Sequence, residues 1–247
     1  MSPKALIIVG FVVLLTLPTL ARPSDHRRPD SVRIAVIDNV PSTSAAIRIL
    51  NEAYETLGIR MDAVTTPSRR ALFMANKGQL DGDLFRIGSV AAQYPDLIRV
   101  EFPLLRGKLR AVARDHRLSI LPANQDADHW TVAVRRGVLI AEQAAEALSL
   151  NVMLAETYDQ LFHLLESGRV DLAFVADIEG ITPLAERKWQ KLNILPDAVA
   201  KFTLHHYLHK RHQGLAEELA QTLKELEHSG IRQNILASFR QPQSGPD

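Results

Sequence analysis

The chain has 247 residues, of which 46% are hydrophobic and 23% are charged, as is usual for a folded soluble protein. This composition excludes global disorder, a fibrous repeat and a polytopic membrane protein. Lys and Arg number 29 against 28 Asp and Glu, and a net charge of +1 disfavours a nucleic-acid binder. The lack of cysteine excludes disulfides, cysteine-ligated zinc, iron–sulfur clusters and thiol nucleophiles, and no cofactor is predicted.

The first 30 residues are typical of an export signal and a polar leader. A basic residue precedes the apolar run 5–17, which is shorter than the roughly 20 residues that a membrane span needs. This pattern predicts a secretory signal peptide over 1–21, cleaved after Ala21, with an uncleaved anchor as the alternative. The segment 22–30 is then a flexible leader, and 241–247 a frayed tail. An exported soluble protein without a lipid-anchoring cysteine is expected in the periplasm.

Strand and helix patterns alternate from residue 32 onward. Apolar, β-rich stretches predict three strands, at 32–37, 59–64 and 80–85. A first helix is expected to begin at a Ser42 or Ser44 cap and to end at Gly58, and a second to follow a Thr66 cap and to end at Gly78. This β-α-β-α-β order implies a parallel sheet covered by helices.

The same order recurs in the second half of the chain. Strands are predicted at 131–134, 151–154 and 170–175. Helices are predicted at about 139–148 and from a Thr157 cap to Gly168. The motif Gly78-Gln79-Leu80-Asp81 returns as Gly168-Arg169-Val170-Asp171 at the same helix-to-strand turn. Together these repeats predict two similar lobes.

Two extended segments connect the predicted lobes. The stretch 99–114 leads from the first lobe to the second, and 192–207 leads back. An amphipathic helix at about 215–228 then returns to the first lobe. The division predicted from these connections is lobe 1 at 31–107 plus 200–240 and lobe 2 at 108–199.

One run of residues resembles a known family. Pro67-Ser68-Arg69-Arg70-Ala71-Leu72 is followed by Gly78-Gln79-Leu80-Asp81-Gly82-Asp83 and then by Arg86. This run resembles the pattern P-x-x-R-A-L…G-x-x-D-G-x-x-x-R in a poorly characterised branch of bacterial periplasmic solute-binding proteins of family 3, the amino-acid-binding type. The resemblance covers about 31–238.

The resemblance implies an α/β fold of the two-lobed, type II periplasmic-binding-protein kind. Each lobe would be a mostly parallel sheet flanked by helices, with two hinge-crossing segments. Such a protein clamps a small ligand and delivers it to an ABC-type transporter, without catalysis. The expected partners are therefore a small-molecule ligand and a membrane permease or receptor, and the expected state is a monomer.

Three departures from the family pattern concern the ligand. The turn 38–41 after the first strand has no aromatic residue, and 88–94 lacks the Thr-Arg pair that grips an α-carboxylate. The Gly-Thr that opens a helix in lobe 2 is Gly137-Val138 here. Asp177 stands near the position at which the family holds the ligand amine. The predicted ligand is anionic or zwitterionic, either amino-acid-like or a carboxylate.

Ligands of open α/β sheets bind beyond the carboxyl ends of the strands. The loops at those ends contain Asp38, Asn39, Ser42, Thr66, Ser68, Arg69, Arg70, Arg86, Ser89, Arg135, Arg136 and Asp177. The predicted ligand-binding residues are Asn39, Ser42, Arg70, Arg86, Ser89, Arg136 and Asp177. Arginines that share a cleft favour a carboxylate because guanidinium binds planar oxyanions bidentately. The alternatives are ion pairs for the arginines, between loops for Arg86, and a helix cap for Asp177.

The histidines at 205, 206, 209 and 212 form a cluster in the sequence. On a helix, 205, 209 and 212 would share a face with metal-ligand spacing. A crossing strand through 205 and 206 would break that geometry, so no metal site is predicted.

Three other functions remain open. The protein could sense a ligand for a membrane receptor, or it could be a non-binding structural protein of the periplasm. It could also be an enzyme similar to cyclohexadienyl dehydratase, with Asp38, Asp177 or Glu179 as acid or base.

Overall fold

The computed structural model describes residues 28–37, 40–121 and 129–240. The predicted signal peptide, most of the leader, the loop residues Asp38 and Asn39, and the tail lie outside these ranges. Within them, no helix is both long and apolar enough to cross a bilayer.

The described residues form eight strands and six α-helices. The strands are β1 (Ser31–Val36), β2 (Arg60–Thr65), β3 (Gly82–Arg86), β4 (Leu97–Ala113), β5 (Thr131–Arg135), β6 (Asn151–Ala155), β7 (Leu172–Ile178) and β8 (Asn193–His209). The helices are α1 (Thr43–Thr56), α2 (Ser68–Asn76), α3 (Leu139–Ala147), α4 (Tyr158–Glu166), α5 (Gln213–His228) and α6 (Ile231–Arg240). All six predicted short strands and the predicted helices are present, with ends that move by a few residues.

The strands form one sheet in the order β2-β1-β3-β8-β4-β7-β5-β6. Its two outer parts are parallel, β2-β1-β3 in one half and β7-β5-β6 in the other. Between them β4 and β8, each 17 residues long, run antiparallel through both halves. Leu97 pairs with His209 at one end and Ala113 with Asn193 at the other. This arrangement confirms the α/β fold and the two crossing segments; the exact residue limits of the lobes stay a prediction.

Each half has its own apolar core. In the first half, α1 buries Ile49 and Leu50 against Leu219 and Leu223 of α5, so the final long helix returns to the first half as predicted. The second half packs helices on both sides of its strands, with fully buried Trp189 in one of the two cores.

The repeated Gly-x-x-Asp motif has the same structural role in both halves. Gly78 and Gly168 have φ of +67° and +72°, which ends the preceding helix in the left-handed conformation that glycine tolerates. The Asp81 carboxylate accepts a hydrogen bond of 2.8 Å from the backbone N–H of Arg33, and Asp171 does the same with Thr131 at 2.8 Å. The motif therefore ties a helix-to-strand turn to the neighbouring parallel strand.

Gly82→Ala is expected to destabilise the first half by about 1–3 kcal/mol, because a Cβ there would overpack the sheet. The added atom would lie 2.3 Å from the Tyr207 carbonyl oxygen and 3.2 Å from Ile34 Cδ1. Gly214→Ala in α5 is the matched control, since a Cβ there meets nothing within 4 Å. Urea unfolding of both variants checks this, and equal stability of the two would contradict it.

Candidate functional site

The two halves of the sheet face each other across a cleft at the carboxyl ends of their parallel strands. Ser68 at the start of α2 donates a 3.5 Å hydrogen bond to the Gly137 carbonyl after β5. A Cβ on Gly137, which has φ of +80°, would lie 2.9 Å from Ser68 Cβ. Gln143 of α3 donates to the Ser89 hydroxyl at 3.3 Å, also across the cleft. The segment after β2 thus contacts the loop after β5, and the turn after β3 contacts α3.

One part of the cleft, here called the outer compartment, is rich in arginine. It has a volume of about 570 Å³ and is lined by Ile37, Thr65, Thr66, Pro67, Ser68, Arg69, Arg70, Arg135, Arg136, Gly137 and Glu156. Four arginines therefore face one glutamate. Arg136 Nε donates to Glu156 at 2.6 Å in an exposed pair. The outer compartment consequently has a surplus of positive charge.

Arg69 and Arg70 lie in the first turn of α2, where the helix dipole disfavours cations. Both are exposed, and among the described residues neither forms an ion pair or a side-chain hydrogen bond. The surface ion pairs considered as their alternative role are thus absent from the described part of the chain. The predicted Thr66 cap of this helix is wrong. Pro67 occupies the N-cap position, and the Thr66 hydroxyl donates to the Val64 carbonyl at 3.3 Å.

Arg86, at the end of β3, is 4% exposed and contacts Ser68, which lines the outer compartment. Its guanidinium donates to the Asp83 carboxylate at 2.7 Å and to the Ser68 hydroxyl at 2.9 Å. Burial raises the pKa of Asp83, and the charge and hydrogen bond of Arg86 oppose that rise. Arg86 thus does not form the ion pair between loops that was its alternative role. It pairs instead with Asp83 of its own strand, and its hydrogen bond to the Ser68 hydroxyl holds Ser68 in place.

A register shift in β3 explains how this pair forms. Residues three apart in a regular strand point to opposite faces of the sheet. The pairing of β3 with β8 is irregular between Asp83 and Arg86, however, as happens at a β-bulge. This irregularity allows the side chains of Asp83 and Arg86 to lie on the same side of the sheet.

The other part of the cleft, here called the inner compartment, is small and apolar. It adjoins the outer compartment at Ile37 and Gly137 and has a volume of about 70 Å³. The remaining lining residues include Val138, Ile140, Phe202, Leu204, Ser42 and Arg86. Ser42 is 1% exposed and sits at the N-cap of α1, but its side chain forms no capping bond.

The backbone N–H at the start of the second lobe's first helix is already occupied. The Glu142 carboxylate accepts a 2.7 Å hydrogen bond from the Gly137 N–H. In the family that the sequence resembles, this Gly-Thr position opens a helix toward the ligand carboxylate. Here the chain's own carboxylate takes that donor. Sequence reasoning missed Glu142, although an acidic residue in the first turn of α3 was a visible signal.

Asp177 and Glu179 lie apart from the arginine-rich compartment. Side chains alternate along a strand, so Ala176 and Ile178 line the inner compartment while Asp177 lines a separate cavity of about 640 Å³. The Asp177 carboxylate accepts from the Gly180 N–H at 2.9 Å, and Glu179 pairs with Arg232 at 2.7 Å.

The seven predicted ligand-binding residues are thus only partly brought together. Arg70 and Arg136 line the outer compartment, and Ser42 and Arg86 line the inner one. Ser89 lines neither but accepts a hydrogen bond from Gln143 across the cleft. Asp177 faces elsewhere, and Asn39 lies outside the described residues. Sequence reasoning did not select Phe202 of β8, which lines both the inner compartment and the separate cavity. The ligand-binding roles themselves stay predictions.

The clustered histidines serve as packing and hydrogen-bonding groups. His206 is fully buried; Tyr54 donates to its Nε2 at 2.8 Å, and its Nδ1 lies 3.1 Å from the Leu84 carbonyl. Burial lowers the pKa of His206 to about 4. His212 lies 2.7 Å from the Asp81 carboxylate. The described residues contain no group of three potential metal ligands.

Comparison with known sequences identifies a relative in Shewanella oneidensis. No family model matches the chain. A protein of Shewanella oneidensis described as uncharacterized is 29% identical over 207 residues, which is 77% of this chain and 75% of that protein.

Comparison with solved structures shows the fold. The ligand-binding core of GluR0 in complex with L-glutamate matches 87% of this chain and 100% of its own, with a TM-score of 0.72 and 13% identity. A histidine kinase sensor domain with similarity to periplasmic binding proteins has a TM-score of 0.69 and 16% identity, over 85% and 95% of the two chains. The substrate-binding protein of an amino acid ABC transporter has a TM-score of 0.67 and 16% identity, over 85% of this chain and 98% of its own. The chain therefore has the two-lobed solute-binding-protein fold that its sequence pattern resembles.

Proposed function

We propose that this protein is a monomeric, periplasmic solute-binding protein that clamps a small anion between its two lobes. The observation that carries the proposal is the outer compartment, in which Arg69 and Arg70 from one half and Arg135 and Arg136 from the other face a single cleft. Guanidinium groups bind carboxylates bidentately, and a ligand touching both halves stabilises their closed arrangement. The signal peptide predicted over 1–21 supports export.

The first candidate partner is an ABC-type transporter, to which the protein would deliver its ligand. The fold shared with a substrate-binding protein of such a transporter supports it. Sensing for a membrane receptor is the second candidate, supported by the fold shared with a histidine kinase sensor domain. Crosslinking of the ligand-loaded protein to membranes of the producing cell, followed by mass spectrometry, separates a permease from a receptor kinase.

Binding without turnover fits the placement of the described acids. Asp177 and Glu179, two of the three candidate acid–base residues, line a cavity separate from the outer compartment, and their carboxylates already have hydrogen-bond partners. A general acid must come within hydrogen-bond reach of the reacting atom. We therefore favour a binding protein over a dehydratase, and incubation with prephenate or arogenate tests this directly.

Charge reversal in the outer compartment is expected to weaken anion binding. The purified protein is first screened by thermal unfolding against amino acids, short monocarboxylates and dicarboxylates; a ligand at about 100 times its Kd adds roughly 2.7 kcal/mol of stability. Arg70→Glu is then expected to weaken the best binder at least tenfold, since hydrogen bonds to charged groups are worth about 1.5–3 kcal/mol. Isothermal titration calorimetry measures the change.

Arg48→Glu is the matched control for this experiment. Arg48 is also an exposed arginine on a helix of the first half, but it lines neither compartment. Its reversal should leave the affinity unchanged apart from weak long-range electrostatics, which added salt screens. Equal losses in the two variants would show that net charge, and not the cleft, attracts the anion.

A further inference from the structure

We infer that the ligand is a short monocarboxylate with an apolar body and no α-amino group. This inference rests on the proposed function and names the substrate class of the same cleft. It comes from the inner compartment, whose chemistry differs from that of the arginine-rich part beside it.

Two residues that line the inner compartment each carry a buried polar atom without a partner among the described residues. The atoms are Arg86 Nε and Ser42 Oγ, and the two residues are 4% and 1% exposed. A buried N–H without an acceptor is costly, so such atoms need an explanation such as a bound group. One guanidinium N–H and one hydroxyl both suit the oxygens of a carboxylate.

The remaining walls of the inner compartment fit an uncharged body. Phe85, Val138, Ile140, Phe202 and Leu204 contribute apolar surface. Of the described residues that line it, none is acidic. An ammonium group placed here would lose its hydration without a carboxylate in the lining to contact, which is unfavourable.

The backbone around the inner compartment supports the same ligand. Glu142 already accepts from the Gly137 N–H, so its negative charge lies near the start of α3. A ligand carboxylate would therefore be directed away from that helix and toward Arg86 and the outer arginines. Hydrogen bonds hold the rest of Arg86 to Asp83 and Ser68, so the guanidinium is pre-organised.

The size of the inner compartment limits the body of the ligand. Its volume of about 70 Å³ is about half of an apolar cavity that holds benzene, roughly 150 Å³. A branched or linear body of about two to five carbons is the expected range. The ligand carboxylate would lie on the side of the inner compartment that Arg86 and Ser42 line, with the apolar body against the other walls.

Matched pairs of compounds that differ only in the amino group test the inference. The pairs are 3-methylbutanoate with L-valine, 4-methylpentanoate with L-leucine, and propanoate with L-alanine. Calorimetry on the purified protein is expected to show at least tenfold tighter binding of the carboxylate in the best-fitting pair. Ser42→Ala should weaken that carboxylate about fivefold to tenfold, and Ser44→Ala, an exposed serine two residues away, should not.

Each outcome bears on a stated idea. Tighter binding of the amino acid in the best-fitting pair overturns the inference; an acidic partner from outside the described residues, such as Asp38, would give that result. An unchanged affinity in Ser42→Ala also overturns it. If amino acids or dicarboxylates bind in an Arg70-dependent manner while the monocarboxylates do not, the inference fails and the proposed function stands. If no anion binds, both fail.

Discussion

Replacing Arg86 with methionine is expected to lower the free energy of unfolding by about 3–5 kcal/mol, because it leaves the Asp83 carboxylate buried without its counter-charge. The side chains of Arg86 and Asp83 are 5% and 1% exposed, and they form a 2.7 Å ion pair. Methionine approximates the length of the aliphatic part of arginine, so the loss reports mainly on charge. Urea unfolding at pH 7.5 measures it.

Two comparisons identify the cause of that loss. Adding Asp83→Asn to Arg86→Met removes the orphaned charge and should restore more than half of the stability. Arg60→Met breaks an exposed ion pair in which the side chains of Arg60 and Asp62 are 73% and 46% accessible. It should lower the free energy of unfolding by only about 0–1 kcal/mol.

The pH dependence of Arg86→Met gives a further check. Without the arginine, the pKa of Asp83 should rise further, so protonation would relieve the cost. The deficit relative to wild type should therefore shrink as the pH falls from 7.5 to 5. A loss below about 1 kcal/mol, or one that grows in acid, would show that the pair does not hold β3 and Ser68 in place.

Acidification from pH 7.5 to about 4.5 is expected to remove about 2–3 kcal/mol of stability through His206 alone. Its pKa is lowered from an ordinary 6.5 to about 4 because burial disfavours the imidazolium, and one pKa unit corresponds to about 1.4 kcal/mol. Below pH 6.5 the His206 imidazole binds a proton in the unfolded chain, whereas in the native state the buried imidazole remains neutral. Stability is therefore complete above pH 6.5 and falls as the pH approaches 4.

His206→Gln should flatten this pH dependence, because glutamine does not titrate. The variant loses some stability at pH 7.5, since Tyr54 and the Leu84 carbonyl lose well-placed partners. His163→Gln, at an exposed site, is the control and should keep the wild-type slope. Urea unfolding at several pH values between 4.5 and 7.5 provides the comparison. An unchanged slope in His206→Gln would refute the assignment.

The local sequence contains enough information for the α/β fold. Apolar periodicity, glycines after helices and the repeated Gly-x-x-Asp turn identify the strands and helices of both halves because these signals are local. The two crossing segments were also predictable: both are long, extended stretches without helical periodicity, and they became β4 and β8. The arginines at strand ends follow from the same topology, since the carboxyl ends of parallel strands share one edge.

Tertiary structure alone decided how those residues are used. The register shift in β3 turns Arg86 toward Asp83, and the pleat of β7 turns Asp177 toward a separate cavity. Glu142 reaches the Gly137 N–H only once α3 has formed beside it. Such choices depend on side-chain direction and on contacts between distant segments. The sequence therefore determined which residues reach the cleft region, whereas packing determined which of them face a ligand and which pair with the protein itself.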